Sequence, residues 1–145
     1  MCGILGGNNR NWDYRKGIES IRHRGPDACQ IEEFHDCTLA FARLAIMDLS
    51  ENGMQPMTSM DGNVTIIYNG EIYGYTSLKR ELEKKYQFRS SGDTEVILNA
   101  YMEYGDGFID KIDGMFAIAI YDRRTMELKL YRDRAGIKPL YYYCN

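Results

Sequence analysis

The sequence has few residues from which a metal site or a disulfide framework could be built. Its 145 residues include two histidines and four cysteines, and the cysteines show no C-x-x-C spacing. Protein zinc sites take their ligands from closely spaced pairs of these residue types. We therefore expect no metal and no cofactor in this chain. Unpaired thiols also fit a reducing compartment, which favours a cytoplasmic location.

Long apolar runs and blocks of like charge are also missing. No stretch approaches the roughly 20 apolar residues of a membrane-spanning helix, and no apolar segment follows the N-terminus as in a secretion signal. The formal net charge is −3, from 18 basic and 21 acidic side chains. These features argue against a membrane or a nucleic acid as a partner.

The chain nevertheless has enough hydrophobic residues, 44% of the total, for one domain with a sizeable core. Strands are predicted from β-type runs around residues 4–5, 30–34, 38–42, 64–68, 115–121, 127–131 and 140–144, with 30–34 and 38–42 forming a hairpin. Helices are predicted at 14–21, 76–85 and 91–104, with caps at Thr76 and at Asp93 or Thr94. Strands on either side of a central helical pair favour an α+β fold over alternating units.

The first seven residues carry a candidate nucleophile, Cys2. If Met1 is removed, Cys2 has a thiol and a free α-amine on one residue, and the amine can act as the base for the thiol. Alternatively, Cys2 is simply the second residue of the chain, before an ordinary first strand formed by Ile4 and Leu5. The opening segment alone does not decide between these alternatives.

Five further motifs follow Cys2 in a fixed order. They are His23-Arg24-Gly25-Pro26-Asp27, Arg43-Leu44-Ala45-Ile46, Asn69-Gly70-Glu71-Ile72-Tyr73, Ser91-Gly92-Asp93-Thr94-Glu95 and the segment 132–140. Together they resemble the glutaminase domain of asparagine synthetases, which are class II, N-terminal-nucleophile (Ntn) glutamine amidotransferases. The resemblance implies a four-layer αββα sandwich of mostly antiparallel sheets. We expect this amidotransferase domain to span residues 1–145 and, because the family's domain usually continues further, to be truncated at its C-terminal end.

The resemblance assigns the reaction to three residues. Cys2 would attack the side-chain amide of glutamine, and the oxyanion would be bound by the side-chain amide of Asn69 and the backbone N–H of Gly70. Read without the family, Asn-Gly is the dipeptide most typical of a hairpin turn, so a strand ending here is the alternative. Gly74 departs from the family, in which asparagine usually closes this motif.

The resemblance also assigns the grip on the substrate. Arg43 would bind the α-carboxylate with its planar guanidinium, and Asp93 would bind the α-ammonium group. The remaining pocket residues implied are Leu44, Ala45, Ile46, Met47 and Glu71. The alternatives are a surface ion pair for Arg43 and a helix cap for Asp93, although Asp93 could both cap the helix and bind the substrate.

His23 could be read as a general base. Since the α-amine of Cys2 fills that role in the family, we favour a structural role in which His23 and Arg24 fix a turn.

The leading hypothesis is a glutaminase that supplies ammonia for ATP-dependent asparagine synthesis on a domain not present here. L-Glutamine and that synthetase domain would be its partners, ATP and Mg²⁺ would be needed only there, and a homodimer is also allowed. Two alternatives remain open. One is a non-catalytic domain that keeps the fold for binding or assembly, and the other is an Ntn hydrolase acting on another amide.

Overall fold

The computed structural model describes residues 2–46 and 48–144. Within these residues the chain forms strands β1 to β7 and helices α1 to α3. In chain order they are β1 Gly3–Gly7, α1 Tyr14–Ser20, β2 Ala28–Glu33, β3 Thr38–Arg43, β4 Met57–Thr58, β5 Val64–Tyr73, α2 Tyr75–Leu82, α3 Asp93–Tyr104, β6 Asp113–Asp122 and β7 Glu127–Arg132. Short 3-10 turns occur at Arg22–Arg24, Glu51–Gly53 and Gly105–Lys111. No described helix is long and apolar enough to cross a membrane.

The strands form two antiparallel sheets. One has the order β1-β3-β2 and the other has the order β4-β5-β6-β7. The predicted hairpin is confirmed, since β2 pairs with β3 from Ala28 opposite Arg43 to Glu33 opposite Thr38. The N-terminal strand is confirmed as well, and it pairs with β3 so that Gly3 lies opposite Ala42.

The two sheets pack face to face, which follows from the alternation of side chains along each strand. Leu39 and Phe41 of β3 point into the space between the sheets, where they meet Ile67 of β5 and Ala119 of β6 in one buried cluster. The intervening residues of β3, Ala40 and Ala42, point outward and pack against α1. The first sheet therefore has one face on the second sheet and the other on a helix.

The second sheet is covered on its outer face by the other two helices. Ile66 of β5 and Ile118 of β6 pack there against α3, whose Val96 and Ile97 are fully buried. The order of layers is α1, first sheet, second sheet, and then α2 with α3. This arrangement confirms the predicted four-layer αββα sandwich.

Strand β5 continues beyond the point at which the sequence predicts its end. Asn69 and Gly70 lie inside the strand, which remains paired with β6 until Tyr73 opposite Asp113. The hairpin-turn interpretation is therefore wrong, because ten cross-strand pairs outweigh the local turn preference of two residues. Glycine is required at this position for another reason, since a Cβ on Gly70 would lie 2.8 Å from the Cα of Phe116.

The helix caps also differ from the prediction. Helix α2 begins at Tyr75 after Gly74, which has a left-handed φ of 61°, rather than with a cap at Thr76. Glycine and asparagine are the residues that adopt this conformation most readily, which explains why glycine can replace the family's asparagine. Helix α3 begins after Gly92 without a side-chain cap, so neither Asp93 nor Thr94 has the predicted capping role.

One predicted strand does not form, and one short strand is not predicted from the sequence. Residues 140–144 form no regular structure, and the side chains of Tyr141, Tyr142 and Tyr143 are largely exposed. No described strand forms a ladder with this segment. After Arg43 the chain leaves β3, and the two-residue strand β4 is too short for a periodic pattern to reveal.

Replacement of Gly25 by alanine should destabilise the fold by about 3 kcal/mol, the size of an overpacking defect. A Cβ at Gly25 would collide with the carbonyl group of Ala42 and lie 2.6 Å from the backbone nitrogen of Arg43. Urea denaturation measures the change. Gly107→Ala is the matched control, because no atom beyond its neighbours in the chain lies within 4 Å of the added Cβ. Equal stability of the two variants would contradict the prediction.

Candidate functional site

A cavity of about 190 Å³ opens where β5, the start of α3 and the segment after β3 converge. Every predicted site residue that the structure describes lines it. These are Cys2, Arg43, Leu44, Ala45, Ile46, Asn69, Gly70, Glu71 and Asp93. Met47, also predicted, lies outside the described residues. Motifs that are far apart in the chain are thus brought together around one space.

Cys2 lies half-buried immediately before the first strand and is held by contacts with Leu44 and Arg24. Its sulfur accepts a hydrogen bond from the backbone N–H of Leu44 at 3.4 Å and approaches the carbonyl oxygen of Leu44 at 3.5 Å. The Nε of Arg24 donates to the carbonyl oxygen of Cys2 at 3.4 Å. These contacts fix the thiol against the cavity wall. Met1 lies outside the described residues.

The motif at residues 23–27 contacts two residues of this wall, Cys2 and Ala45. The carboxylate of Asp27 accepts a hydrogen bond from the backbone N–H of Ala45 at 2.8 Å, a role that the sequence analysis missed. His23 is exposed and does not line the cavity. Its position agrees with the structural role that we favoured, and Arg24 reaches Cys2 as well as forming part of the turn.

Asn69 and Gly70 enter the cavity from β5. Asn69 is buried and, by strand alternation, lies on the same face as Ile67, between the two sheets. The backbone of Gly70 lines the cavity next to it. The predicted nucleophile and both predicted oxyanion donors therefore share this cavity.

Arg43 is buried at the end of β3, with 8% of its surface exposed. One terminal nitrogen of its guanidinium donates to two backbone carbonyl oxygens, that of Asp48 and, at 2.9 Å, that of Ser50. The surface ion pair considered from the sequence does not form, since no described carboxylate pairs with Arg43. The charge lies instead in the cavity wall and fastens the loop that follows.

The same loop is fastened a second time by Asp48, which the sequence analysis did not single out. Its carboxylate accepts hydrogen bonds from the backbone and hydroxyl of Ser50 and, at 2.9 Å, from the backbone N–H of Ser91. The Ser50 hydroxyl, followed by the Ser91 N–H, lowers the pKa of Asp48 to about 2. The loop after Arg43 is thereby tied to the residues that precede α3.

Asp93 is the first residue of α3 and is 6% exposed. Its Oδ2 accepts a hydrogen bond from the hydroxyl of Tyr68 at 2.8 Å and another from the backbone N–H of Ile72 at 3.1 Å. Burial raises the pKa of the Asp93 carboxyl, and the two hydrogen bonds offset only part of this effect. A negative charge here therefore gains from the arrival of a positive ligand.

A buried glutamine, also missed from the sequence, joins β5 to α3 beside Asp93. The side chain of Gln55 accepts a hydrogen bond from the backbone N–H of Tyr68 at 2.6 Å and donates to the hydroxyl of Thr94 at 3.2 Å. All three residues line the cavity. No local pattern predicts such a role, because it depends on which strand and helix meet.

Lys138 is a further buried residue of the cavity wall, and the motif at 132–140 explains how it is held there. The buried carboxylate of Asp133 accepts hydrogen bonds from the backbone N–H groups of Phe116, Ile137 and Lys138, at 2.8 to 3.1 Å. Burial acts to raise the pKa of Asp133, but these donors together lower it. The motif thus folds a loop back onto β6. The sequence analysis identified this motif but assigned it no role.

Neither the cavity nor any other described part of the chain contains three or more His, Cys, Asp or Glu side chains grouped so as to hold a metal ion.

Comparison with known proteins gives one family and one fold. The family model described as a glutamine amidotransferase domain matches residues 1–145. Asparagine synthetase [glutamine-hydrolyzing] 2 of Bacillus subtilis is 42% identical over 98% of this chain and 20% of its own length. Asparagine synthetase [glutamine-hydrolyzing] 2 of Arabidopsis thaliana is 43% identical over 97% of this chain and 25% of its own length. The chain therefore spans a fifth to a quarter of these relatives.

Among solved structures, the chain is similar to the glutamine phosphoribosylpyrophosphate amidotransferase from B. subtilis. The TM-score is 0.65 at 20% identity, over 84% of this chain and 35% of that one. At this identity the similarity shows the fold alone, and it agrees with the layers described above.

Replacement of Asp93 by asparagine should leave the melting temperature unchanged or raise it at pH 7. Because burial raises the pKa of this carboxyl in the folded state, folding favours its neutral form, and the stabilisation present at low pH is lost as the pH rises through the folded pKa. An amide oxygen can still accept the bonds from Tyr68 and Ile72. Thermal melts from pH 7 downward should show any advantage of the variant shrinking.

Asp122→Asn is the matched control for this experiment. Hydrogen bonding to Arg124 lowers the pKa of Asp122 to about 2, so its ionised form stabilises the fold at neutral pH. This variant should melt below the wild type at pH 7. A comparable loss of melting temperature in Asp93→Asn would contradict the expected sign.

Proposed function

The chain belongs to the glutamine amidotransferase domain family, and from this premise we propose that it hydrolyses the side-chain amide of L-glutamine to glutamate and ammonia. The observation that carries the proposal is the composition of one cavity. A thiol, an amide beside a glycine backbone, a buried guanidinium and a buried carboxylate all line it. These are the groups that an amide hydrolase specific for an α-amino acid needs.

Two of the buried charged residues, Arg43 and Asp93, account for recognition of the substrate. Arg43 offers its guanidinium to the α-carboxylate, and Asp93 offers its carboxylate to the α-ammonium group. Each charge is largely withdrawn from water, so a ligand carrying the opposite charge is bound more strongly than at an exposed site. When Arg43 and Asp93 bind the head group, the side-chain amide of glutamine remains accessible to Cys2.

The reaction then uses the thiol and the oxyanion donors. With Met1 removed, the α-amine of Cys2 takes the thiol proton, and the sulfur attacks the amide carbon of glutamine. Asn69 and Gly70 donate hydrogen bonds to the oxygen as it becomes negative. The C–N bond breaks, the nitrogen takes a proton and leaves as ammonia, and water hydrolyses the thioester to glutamate and the free thiol.

The fate of the ammonia extends the proposal beyond this chain. The asparagine synthetase relatives support a synthetase domain, on the same or a separate chain, as the acceptor's site. ATP and Mg²⁺ would serve that domain. We further propose a cytoplasmic location, supported by four unpaired cysteines, and a homodimer as the assembly to test. The two alternatives, a non-catalytic domain and a hydrolase of another amide, are distinguished by the experiments below.

Cys2→Ala should abolish glutamine hydrolysis and leave the melting temperature within a few degrees of the wild type, because it removes the nucleophile and little packing. Ammonia release measures the loss. Intact mass should show that the active protein lacks Met1 and gains one adduct from a diazoketone analogue of glutamine. Cys144→Ala is a suitable background, since Cys144 is exposed and would otherwise react.

Free glutamine should protect against this adduct, and Cys29→Ala should leave the adduct unchanged. Glutamine hydrolysis by Cys2→Ala at the wild-type rate would contradict the proposal. A protein that retains Met1 and gains no adduct would favour the non-catalytic alternative. Hydrolysis of an amide without the α-amino acid head group at a higher rate than that of glutamine would favour a hydrolase of another amide.

Arg43→Lys should raise the KM for glutamine by roughly tenfold and change kcat little. A lysine keeps one charge but cannot make paired hydrogen bonds to a carboxylate. Steady-state kinetics separates the two constants. Arg89→Lys, at an exposed arginine outside the cavity, should leave both unchanged, and an unaltered KM in Arg43→Lys would count against the carboxylate role.

A further inference from the structure

Tyr68 precedes Asn69 in β5 but faces the opposite side of the strand. Its ring packs in the cluster between the second sheet and helices α2 and α3, and only 3% of the residue is exposed. The hydroxyl reaches the start of α3 and donates to Oδ2 of Asp93 at 2.8 Å. Tyr68 therefore contacts Asp93, the proposed partner of the ammonium group, from the face of β5 that packs on the helices, and it also lines the cavity.

The two donors to Asp93 determine which of its oxygens is left for a ligand. The hydroxyl of Tyr68 and the backbone N–H of Ile72 both bind Oδ2. Since both come from β5, they hold one edge of the carboxylate against the strand. Oδ1 is then the oxygen that an ammonium group in the cavity can take.

Tyr68 is itself held in this position. Gln55 accepts a hydrogen bond from its backbone N–H at 2.6 Å and donates to Thr94, the neighbour of Asp93, at 3.2 Å. Burial, followed by the charge of Asp93, raises the pKa of the Tyr68 phenol far above its usual range. The hydroxyl thus remains a donor at any pH at which the protein would be assayed.

We propose that Tyr68 is a positioning residue for substrate selection, which holds the Asp93 carboxylate in the orientation that makes the cavity prefer ligands with an α-ammonium group. The inference rests on the proposed function for the identity of the ligand and adds a residue to the recognition of its head group. It assigns Tyr68 no part in the attack on the amide. Loss of the hydroxyl should therefore affect binding of the head group and leave the chemical step unchanged.

The test compares glutamine with glutaramate, which is glutamine without its α-amino group. Tyr68→Phe and wild-type Tyr68 are each placed in a Cys2→Ala background, and the Kd for both ligands is measured by calorimetry. One hydrogen bond to a charged group corresponds to roughly tenfold in affinity. We expect the Kd for glutamine to rise by about that factor and the Kd for glutaramate to change less than about twofold. With Cys2 intact, Tyr68→Phe should raise KM for glutamine with little change in kcat.

The chain offers a matched control in Tyr101→Phe. Tyr101 is also buried, at 2% exposure, and its hydroxyl donates to an aspartate, Asp122, at 3.0 Å, but neither residue lines the cavity. This variant should lose a comparable hydrogen bond and leave both dissociation constants unchanged. A general loss of stability would then be separated from an effect on selection.

The outcomes separate this inference from the proposed function. If Tyr68→Phe leaves the ratio of the two dissociation constants unchanged, whether both rise equally or neither changes, the inference is overturned even if the wild type hydrolyses glutamine. A selective loss of glutamine binding in a protein that releases no ammonia would support the inference and contradict the proposed activity. If the protein with wild-type Tyr68 binds glutamine no more tightly than glutaramate, the proposed role of Asp93 is overturned, and the role of Tyr68 with it.

Discussion

The pairing of β5 with β6 is the interaction on which the rest of the structure depends. It runs through ten residue pairs, from Val64 opposite Asp122 to Tyr73 opposite Asp113, and both strands are buried between the other layers. One face of β5 packs against α3, and the other faces the first sheet. Because consecutive residues alternate between these faces, Tyr68 and Asn69 can serve the same cavity from opposite sides of one strand.

The cavity concentrates buried charge, which is unfavourable unless each charge has partners. Arg43 finds them in the carbonyl oxygens of the loop that follows it, and Asp93 finds them in a tyrosine hydroxyl and a backbone N–H. These partners hold the groups without neutralising them, since they carry no opposite charge. In the proposed function, the substrate carries a charge opposite to each of these two groups, so the buried charges that are unfavourable on their own are those that select the ligand.

Aspartates that bind backbone N–H groups hold the loops around this cavity. Asp27 holds the segment after β3, Asp48 joins its loop to the residues before α3, and Asp133 folds the C-terminal motif onto β6. Loops contribute few apolar contacts, and charge-assisted hydrogen bonds to their backbone replace part of that packing. The sequence motifs that suggested catalysis thus include residues with a structural role, which is to hold the loops of the cavity wall in place.

The sequence by itself determined the hairpin of β2 and β3, the first strand, the position of α3 and, through ordered motifs, a set of residues that line one cavity. Periodic patterns and glycine-proline turns act over a few residues, so they can be read locally. Only the tertiary structure decided that Asn69 and Gly70 continue a strand, that Asp93 turns to β5 instead of capping its helix, and that Gln55 joins the two. Such outcomes depend on partners distant in the chain, whose pairing and burial outweigh the small local preferences of a turn or a cap.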